Sequence, residues 1–373
     1  MEYIFLLSGD FIDLGKEEVL SLLNIKSHKL IDRLLIADLN ENLNKKLIKR
    51  LSLTKNIYNF LFSCKAGKLL DSMKEFGWNS VYRDNFCLRI FHFDGNKSNK
   101  QNPILKKPTD GKFNKKLTNK NIKKNFTEKS LAGYIWDSVS NPKVNLENPK
   151  TEITLFFAKD KVYCGLLFKK IGYDFDTRKS HLRPFPHPSS LHPKVARALI
   201  NISGIKENEV LLDPFCGTGG FLIEAGLMNI KSAGYDMDNT MIKGCIENLQ
   251  HYKIKNCKIK NKNAINIGGG FDYAVTDLPY GLNSNVYMGK SHNNLKENRI
   301  NKKIQKKDFK KNLESFYLKF LKSLRKKLKK KAVIVFPSYV NYKKLLKIAK
   351  LNIEKEFSIY VHRSLTRRIV RIR

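Results

Sequence analysis

Apolar residues in this chain fall in short runs, and the spacing of those runs changes partway along it. Over the first sixty residues the runs at 3–7, 34–37 and 57–62 read as strands, and the amphipathic spacing at 15–23 reads as a helix. Residues 86–93 have the composition of a further strand. From Thr127, a plausible N-cap, Leu131, Ile135 and Val139 recur at helical spacing. Two strands at 152–157 and 162–168 then turn around Lys159 and Asp160. Between these elements, residues 95–126 are rich in Lys, Asn, Gly, Ser and Pro with few apolar anchors, and read as a flexible insertion. Proline and histidine punctuate residues 172–193, which excludes a helix or central strand and predicts an extended connector.

Beyond residue 195 the pattern becomes strand, turn and helix in alternation. Strands are expected at 210–212, 232–235, 257–260, 273–275 and 332–336, with helices at 221–228 and from 238 to 249. A long helix from Asp308 places Phe309, Leu313, Phe316, Tyr317, Phe320, Leu321, Leu324 and Leu328 on one face and lysines on the other. Such alternation predicts an α/β fold whose mostly parallel sheet binds ligands at the strand carboxyl ends.

Length and charge change this picture only in part. A chain of 373 residues suits two or three domains, and 42% hydrophobic content is enough to bury real cores. The 71 Lys and Arg against 34 Asp and Glu give a net charge of +37. A polyanionic partner would account for that excess, as would a coding sequence biased toward Lys, Asn and Ile. The six cysteines form no CxxC and no Cys/His cluster, so neither a metal site nor a disulfide framework is expected. No apolar run is long enough for a membrane helix or signal peptide, so the expectation is a cytoplasmic protein without membrane contact.

The chemistry concentrates in two motifs. DPFCGTGG at 213–220 follows the first strand of the alternating region, where a ligand's polar head meets a helix N-terminus. Gly217, Gly219 and Gly220 let the backbone turn and come close to a ligand. No lysine follows them, and GxGxxG is absent, which excludes the usual nucleotide-phosphate loops. Asp213 suits a ligand with a positive amino group, and Asp236, at the end of the next strand, can accept from both hydroxyls of a ribose. Each aspartate could alternatively cap a turn or helix. Asn263 and Ala264, after the third strand, occupy the position expected to face an adenine.

DLPY at 277–280 follows the strand at 273–276. An exocyclic amine is a poor nucleophile because its lone pair is delocalised into the ring. A carboxylate (Asp277) and the next backbone carbonyl (Leu278) can accept its two protons and free the lone pair for in-line attack. Asp277 can then take the proton lost, while Pro279 shapes the turn and Tyr280 offers a face on which an extruded base can stack. Read alone, the tetrapeptide is better taken as a proline-containing turn with a buried aromatic; its place after the glycine turn and Asp236 favours the catalytic reading. Residues 283–307 read as a loop over the base or as an insert.

Together the two motifs resemble the THUMP-containing RNA guanine-N2 methyltransferases, and among them the archaeal-type enzymes acting on the guanosine at tRNA position 10. RPFPHPSSLHPKVARAL at 183–199 is similar to the segment that enters the family's catalytic domain, and HRSLTR at 362–367 to its C-terminal strand region. VNLENP at 144–149, with the strands that follow, is similar to the end of a THUMP domain, a module associated with docking the acceptor end of tRNA. The resemblance implies a ferredoxin-like α+β domain at 1–65, a THUMP-like domain at 66–170, a linker at 171–193 and a Rossmann-like class I methyltransferase domain with a seven-stranded sheet at 194–373. It implies S-adenosylmethionine as cofactor, held by Asp213, Pro214, Phe215, Cys216, Gly217, Thr218, Gly219, Asp236, Met237, Asn263 and Ala264, and Asp277 to Tyr280 as the catalytic tetrad. Arg183, His187, Arg363 and Arg367 are candidate contacts to RNA, the arginines because a planar fork suits phosphate. The chain departs from the family at Leu278, usually proline, and at Asn263, usually aspartate, and loss of the proline is expected to loosen the tetrad. tRNA is the expected partner, rather than DNA, met by a monomer. Methylation of DNA or rRNA amines, and a tRNA-binding protein without catalysis, remain the alternative readings.

Overall fold

The computed structural model describes residues 1–39, 43–93, 126–172, 174–188, 190–280, 299–363 and 365–373, with the backbone alone at 299–308. The expected insertion at 95–126, Phe126 excepted, and the expected loop up to residue 298 lie outside the described residues. The chain forms two compact units: residues 1–12, 25–48 and 54–172 make the first, and residues 13–24, 49–53 and 173–373 the second.

In the first unit, strands β1 (Glu2–Leu7), β2 (His28–Ile31), β3 (Leu34–Asp38), β4 (Thr54–Lys65), β5 (Phe86–Phe93), β6 (Thr151–Ala158) and β7 (Lys161–Lys170) form one sheet, in the order β2-β3-β1-β4-β7-β6-β5. Pairing is antiparallel except between β5 and β6. One sheet joins strands from both sides of residue 65, because β4 pairs with β7 from Asn56 to Lys65. Of the helices, α1 (Ile12–Leu23) belongs mainly to the second unit, and α2 (Lys45–Ile48) and α3 (Leu69–Glu75) are short. Helix α4 (Glu128–Trp136) starts, as expected, at Thr127, whose side chain accepts from Ser130 N–H in a capping box. Its Leu131 and Ile135 pack with Trp78, Phe86 and Leu155, while Val139 is buried beyond the helix end.

The second unit carries α5 (Pro193–Ile202), β8 (Val210–Asp213), α6 (Gly220–Leu227), β9 (Lys231–Asp236), α7 (Asn239–His251), β10 (Cys257–Asn261), β11 (Phe271–Asp277), α8 (Arg299–Lys327), β12 (Leu328–Pro337), α9 (Tyr342–Ile348), β13 (Ile353–His362) and β14 (Leu365–Ile372). Its seven-stranded sheet has the order β10-β9-β8-β11-β12-β14-β13. The first five strands are parallel and β14 runs antiparallel to both its neighbours, so the mostly parallel α/β sheet is as expected. The strand order reverses direction between β8 and β11, and the crevice at the carboxyl ends of these strands is where such sheets bind ligands.

Two local expectations need correction. Leu328 does not end the long helix but opens β12, while Leu313, Tyr317, Phe320, Leu321 and Leu324 do form the buried face. The connector is not extended throughout: two 3-10 turns, Asp176–Arg178 and Ser180–Leu182, precede its proline run. Nothing bars such turns, since the first proline stands only at 184. A further feature of this unit is Glu18 of α1, fully buried, which accepts from Ser52, from Leu53 N–H and from Asn201 of α5.

Candidate active site

The turn after β8 is built as its glycines require. Gly217 and Gly219 have φ of +49° and +88°, and Gly219 is the N-cap of α6. A Cβ at Gly219 would stand 2.9 Å from Cys245 Sγ of α7, so the turn presses against that helix. At Gly217 no atom lies within 4 Å of the Cβ position, which leaves room for a ligand to reach the backbone. Pro214, Cys216 and Thr218 are buried beneath the turn, and the Phe215 ring packs on Phe320 of α8 at 5.0 Å.

Three carboxylates stand at the strand ends. Asp236 ends β9 and accepts from Gly217 N–H and Asp238 N–H, each at 3.0 Å, so it is tied to the turn as well as to the start of α7. Asp213, 1% exposed, accepts from Thr276 Oγ1 at 2.8 Å and from Phe215 N–H at 3.2 Å. Burial pushes its carboxyl up to about 7, reinforced by the charges of Asp236 and Asp277. Burial also raises Asp236. Asp213 thus braces the turn from below, while Asp236 lies at its rim. Met237 is 46% exposed beside Asp236, and Asn263 caps the short turn Ala264–Asn266 by accepting from Ile265 N–H at 2.9 Å. Ala264 is buried behind it.

This donor set fits S-adenosylmethionine. Its ammonium and sulfonium charges suit a cluster of buried carboxylates, its ribose hydroxyls suit Asp236, and the open space over Gly217 admits its approach. Among the described residues no group of His, Cys, Asp and Glu could hold a metal ion.

The tetrad directly continues β11, where its polar groups are nearly all engaged. Leu278 N–H donates to Val335 O of β12 at 3.1 Å, and its side chain is 1% exposed in the core. Tyr317 Oη of α8 donates to Pro279 O at 2.6 Å, and Tyr339 Oη donates to Tyr280 O at 2.5 Å. Among the described residues nothing takes up the Leu278 carbonyl, the acceptor expected to face an amine. Tyr280 Oη donates to Asp277 Oδ1 at 2.5 Å. Burial pushes the Asp277 carboxyl up to about 6, opposed by Arg367 and by the Tyr280 hydrogen bond.

The four candidate RNA contacts part company. Arg183 is 4% exposed, its Nε donating to Arg178 O at 3.0 Å and its Nη1 facing the turn at Gly220, so it belongs to the wall of the turn and not to an RNA-facing surface. His187 is half-buried, its carbonyl accepting from Ser180 Oγ. Arg363 is exposed at the turn between β13 and β14. Arg367, by contrast, lies against the candidate tetrad: its Nε donates to Tyr280 Oη at 2.8 Å and its Nη2 is 3.6 Å from Asp277 Oδ2.

Sequence reasoning missed the residues that hold these pieces together. Asn248 of α7, fully buried, binds both backbone groups of Phe185 and accommodates Thr218 O, joining the proline segment to the glycine turn. Glu224 of α6, also fully buried, pairs with Arg178 at 2.9 Å and Arg197 at 2.8 Å. Tyr317 was expected only as an apolar contact. A polar residue recurring at a buried helical position is the one signal that could have found Asn248 and Glu224.

Comparison with known proteins agrees with this geometry. Residues 180–296 match a family described as RMKL-like, methyltransferase domain. A tRNA (guanine(10)-N2)-dimethyltransferase of Methanothermobacter thermautotrophicus is 30% identical over 333 residues, which cover 88% of this chain and 84% of that protein. Its counterpart from Pyrococcus abyssi is 37% identical over 169 residues, 44% of this chain and 50% of that one. The crystal structure of TrmN from Thermus thermophilus is similar in fold at 14% identity, with a TM-score of 0.50 over 100% of this chain and 99% of that one. With near full-length similarity added to the glycine turn and the tetrad, the chain belongs to the tRNA (guanine(10)-N2)-dimethyltransferase family.

Proposed function

We propose that this chain transfers methyl from S-adenosylmethionine to the exocyclic N2 of the guanosine at position 10 of tRNA. The observation that carries the reading is the placement of Asp277 and the Leu278 carbonyl, which no described residue takes up, at the end of β11, beside the glycine turn that follows β8. The relatives named above supply the nucleotide.

The cofactor supplies an electrophilic methyl group when bound; the chain's own residues do the rest. Asp277 Oδ1 and Leu278 O accept the two N2 protons, which pins the amine and favours a pyramidal nitrogen whose lone pair points away from both acceptors. For this the Tyr280 hydroxyl must yield its place on Asp277. Asp277 takes the proton that the amine loses, which requires its carboxylate form. Tyr317 and Tyr339 hold the two carbonyls that follow Leu278, so the acceptors stay aimed while the base enters. The base stacks on Tyr280.

The first unit, with its ferredoxin-like and THUMP-like parts, docks the acceptor end of the tRNA, and the +37 charge contributes a salt-sensitive attraction to it. His187 and Arg363 are the phosphate-side contacts of the second unit. The chain acts as a monomer in the cytoplasm, in keeping with six free cysteines. No helix among the described residues is long and apolar enough to cross a membrane.

Labelled S-adenosylmethionine and purified protein, incubated with unmodified tRNA, test this reading. Label should enter tRNA and vanish when the position-10 guanosine is replaced by adenosine. Equal labelling of the altered tRNA, or labelling of DNA alone, refutes it.

A further inference from the structure

We infer that Arg367 is a positioning residue of the methyl-transfer site, which keeps Asp277 in its anionic form and fixes the Tyr280 hydroxyl, and is not a contact to RNA phosphate. This rests on the proposed reaction. Strand β14 runs antiparallel to β12, so its start lies level with the end of β12: Arg367 pairs with Pro337 and stands at the same sheet edge as the end of β11. From there the guanidinium is spent inward. Nε donates to Tyr280 Oη at 2.8 Å, Nη2 lies 3.6 Å from Asp277 Oδ2, and the fork sits 5.8 Å from the Tyr280 ring centre. Its side chain is only 11% exposed, which leaves little of the fork for a phosphate.

The three groups contact one another pairwise. Tyr280 donates to one oxygen of Asp277 while Arg367 faces the other, and Arg367 also donates to Tyr280. When an amine displaces Tyr280 from Asp277, the Arg367 bond to Tyr280 Oη gives the released hydroxyl a place to stay. The charged and titratable groups facing Asp277, among the described residues, are Tyr280 on its own loop, Arg367 on β14 and Asp213 on β8. Only Arg367 among these favours the carboxylate by its charge. A buried carboxyl without that partner would be less ionised at neutral pH and so less often able to take the proton from the amine.

Arg367→Gln and Arg367→Lys test the role, the first keeping donors without charge, the second keeping charge without the planar fork. Two readouts are needed: the acid limb of kcat/KM for tRNA, and the Asp277 carboxyl titration followed by 13C NMR, assigned with Asp277→Asn. The wild-type titration should fall near 6. In Arg367→Gln both midpoints should rise by about 1 unit or more, whereas Arg367→Lys keeps them near wild type with a lower plateau. An unmoved carboxyl titration in Arg367→Gln overturns the inference. So does a loss of tRNA affinity with a shallower salt slope and an unchanged pH profile, which would mark a phosphate contact. Wild-type protein that methylates no tRNA refutes the reaction instead, and the carboxyl titration still decides what Arg367 does.

Discussion

Restoring proline at Leu278 should harm this protein, although the family usually carries proline there. The residue's amide donates to Val335 O at 3.1 Å, and its side chain is 1% exposed among Tyr317, Phe336 and their neighbours. Leu278→Pro removes that donor and strands a carbonyl on a residue that is 0% exposed, which costs about 1–3 kcal/mol. Removing roughly one methylene from the core adds about 0.8 kcal/mol. The stiffer unfolded chain returns about 0.4–1 kcal/mol. The net is a loss of about 2 kcal/mol, or a fall of about 4–8 °C in the melting temperature of the second unit.

Leu278→Met is the companion variant, because it keeps both the N–H and the volume and should cost under about 1.5 kcal/mol. Calorimetry of the full chain, with methyl transfer measured in parallel, reads both. The proline variant should melt lower than the methionine variant and turn over no faster than wild type. A proline variant that melts at or above wild type, or turns over faster, would show that the amide bond to Val335 does not hold the tetrad.

Three further outcomes follow from the same structure. Asp236→Ala removes the acceptor of Gly217 N–H and the expected ribose contact, so S-adenosylmethionine affinity by calorimetric titration should fall by about tenfold or more; an unchanged Kd refutes the assignment. Arg197→Met leaves the buried Glu224 with Arg178 alone and should cost about 3 kcal/mol in chemical unfolding, against a null result of no shift in midpoint. Asp213→Asn should stabilise the ligand-free protein while weakening cofactor binding. The sign follows from a folded pKa near 7, raised from 3.8: the fold favours the neutral carboxyl, so ionisation costs stability increasingly as pH rises from about 4 to 7, and that cost persists above 7. Asparagine keeps an acceptor for Thr276 and removes the charge. An Asn variant that melts lower than wild type at pH 8 would show that the carboxylate is needed for folding itself.

Much of the site was legible because its parts are fixed by local backbone chemistry. A glycine turn at φ of +49° and +88° can be recognised from its residues alone, and so can an aspartate closing the strand after it. The rest depends on pairings between distant segments. Arg367 reaches Tyr280 across 87 residues of sequence, and Tyr339 reaches it across 59. Nothing near either residue in the sequence says that it faces β11. Arg183 illustrates the converse error: an arginine among prolines suggests an exposed anion contact, but docking of Phe185 on Asn248 carries it under the turn. The continuous first sheet was hidden for a similar reason, since β4 finds its partner β7 about a hundred residues later.

Leu278 shows how far a motif alone can mislead about rigidity. A proline limits φ covalently and gives up its N–H, so a site that uses it relies on the ring to keep the following carbonyls in place. This chain keeps the N–H and spends it on β12, which lengthens the β11–β12 ladder by one bond beyond Asp277. Tyrosines from α8 and from the segment after β12 then hold the next two carbonyls. The restraint lost from covalent structure is therefore replaced by hydrogen bonds to three separate elements. Such bonds transmit changes in those elements to the tetrad, which a ring would not. Tyr317→Phe and Tyr339→Phe, which delete single hydroxyls outside the reacting groups, should for that reason lower turnover more than they lower cofactor affinity.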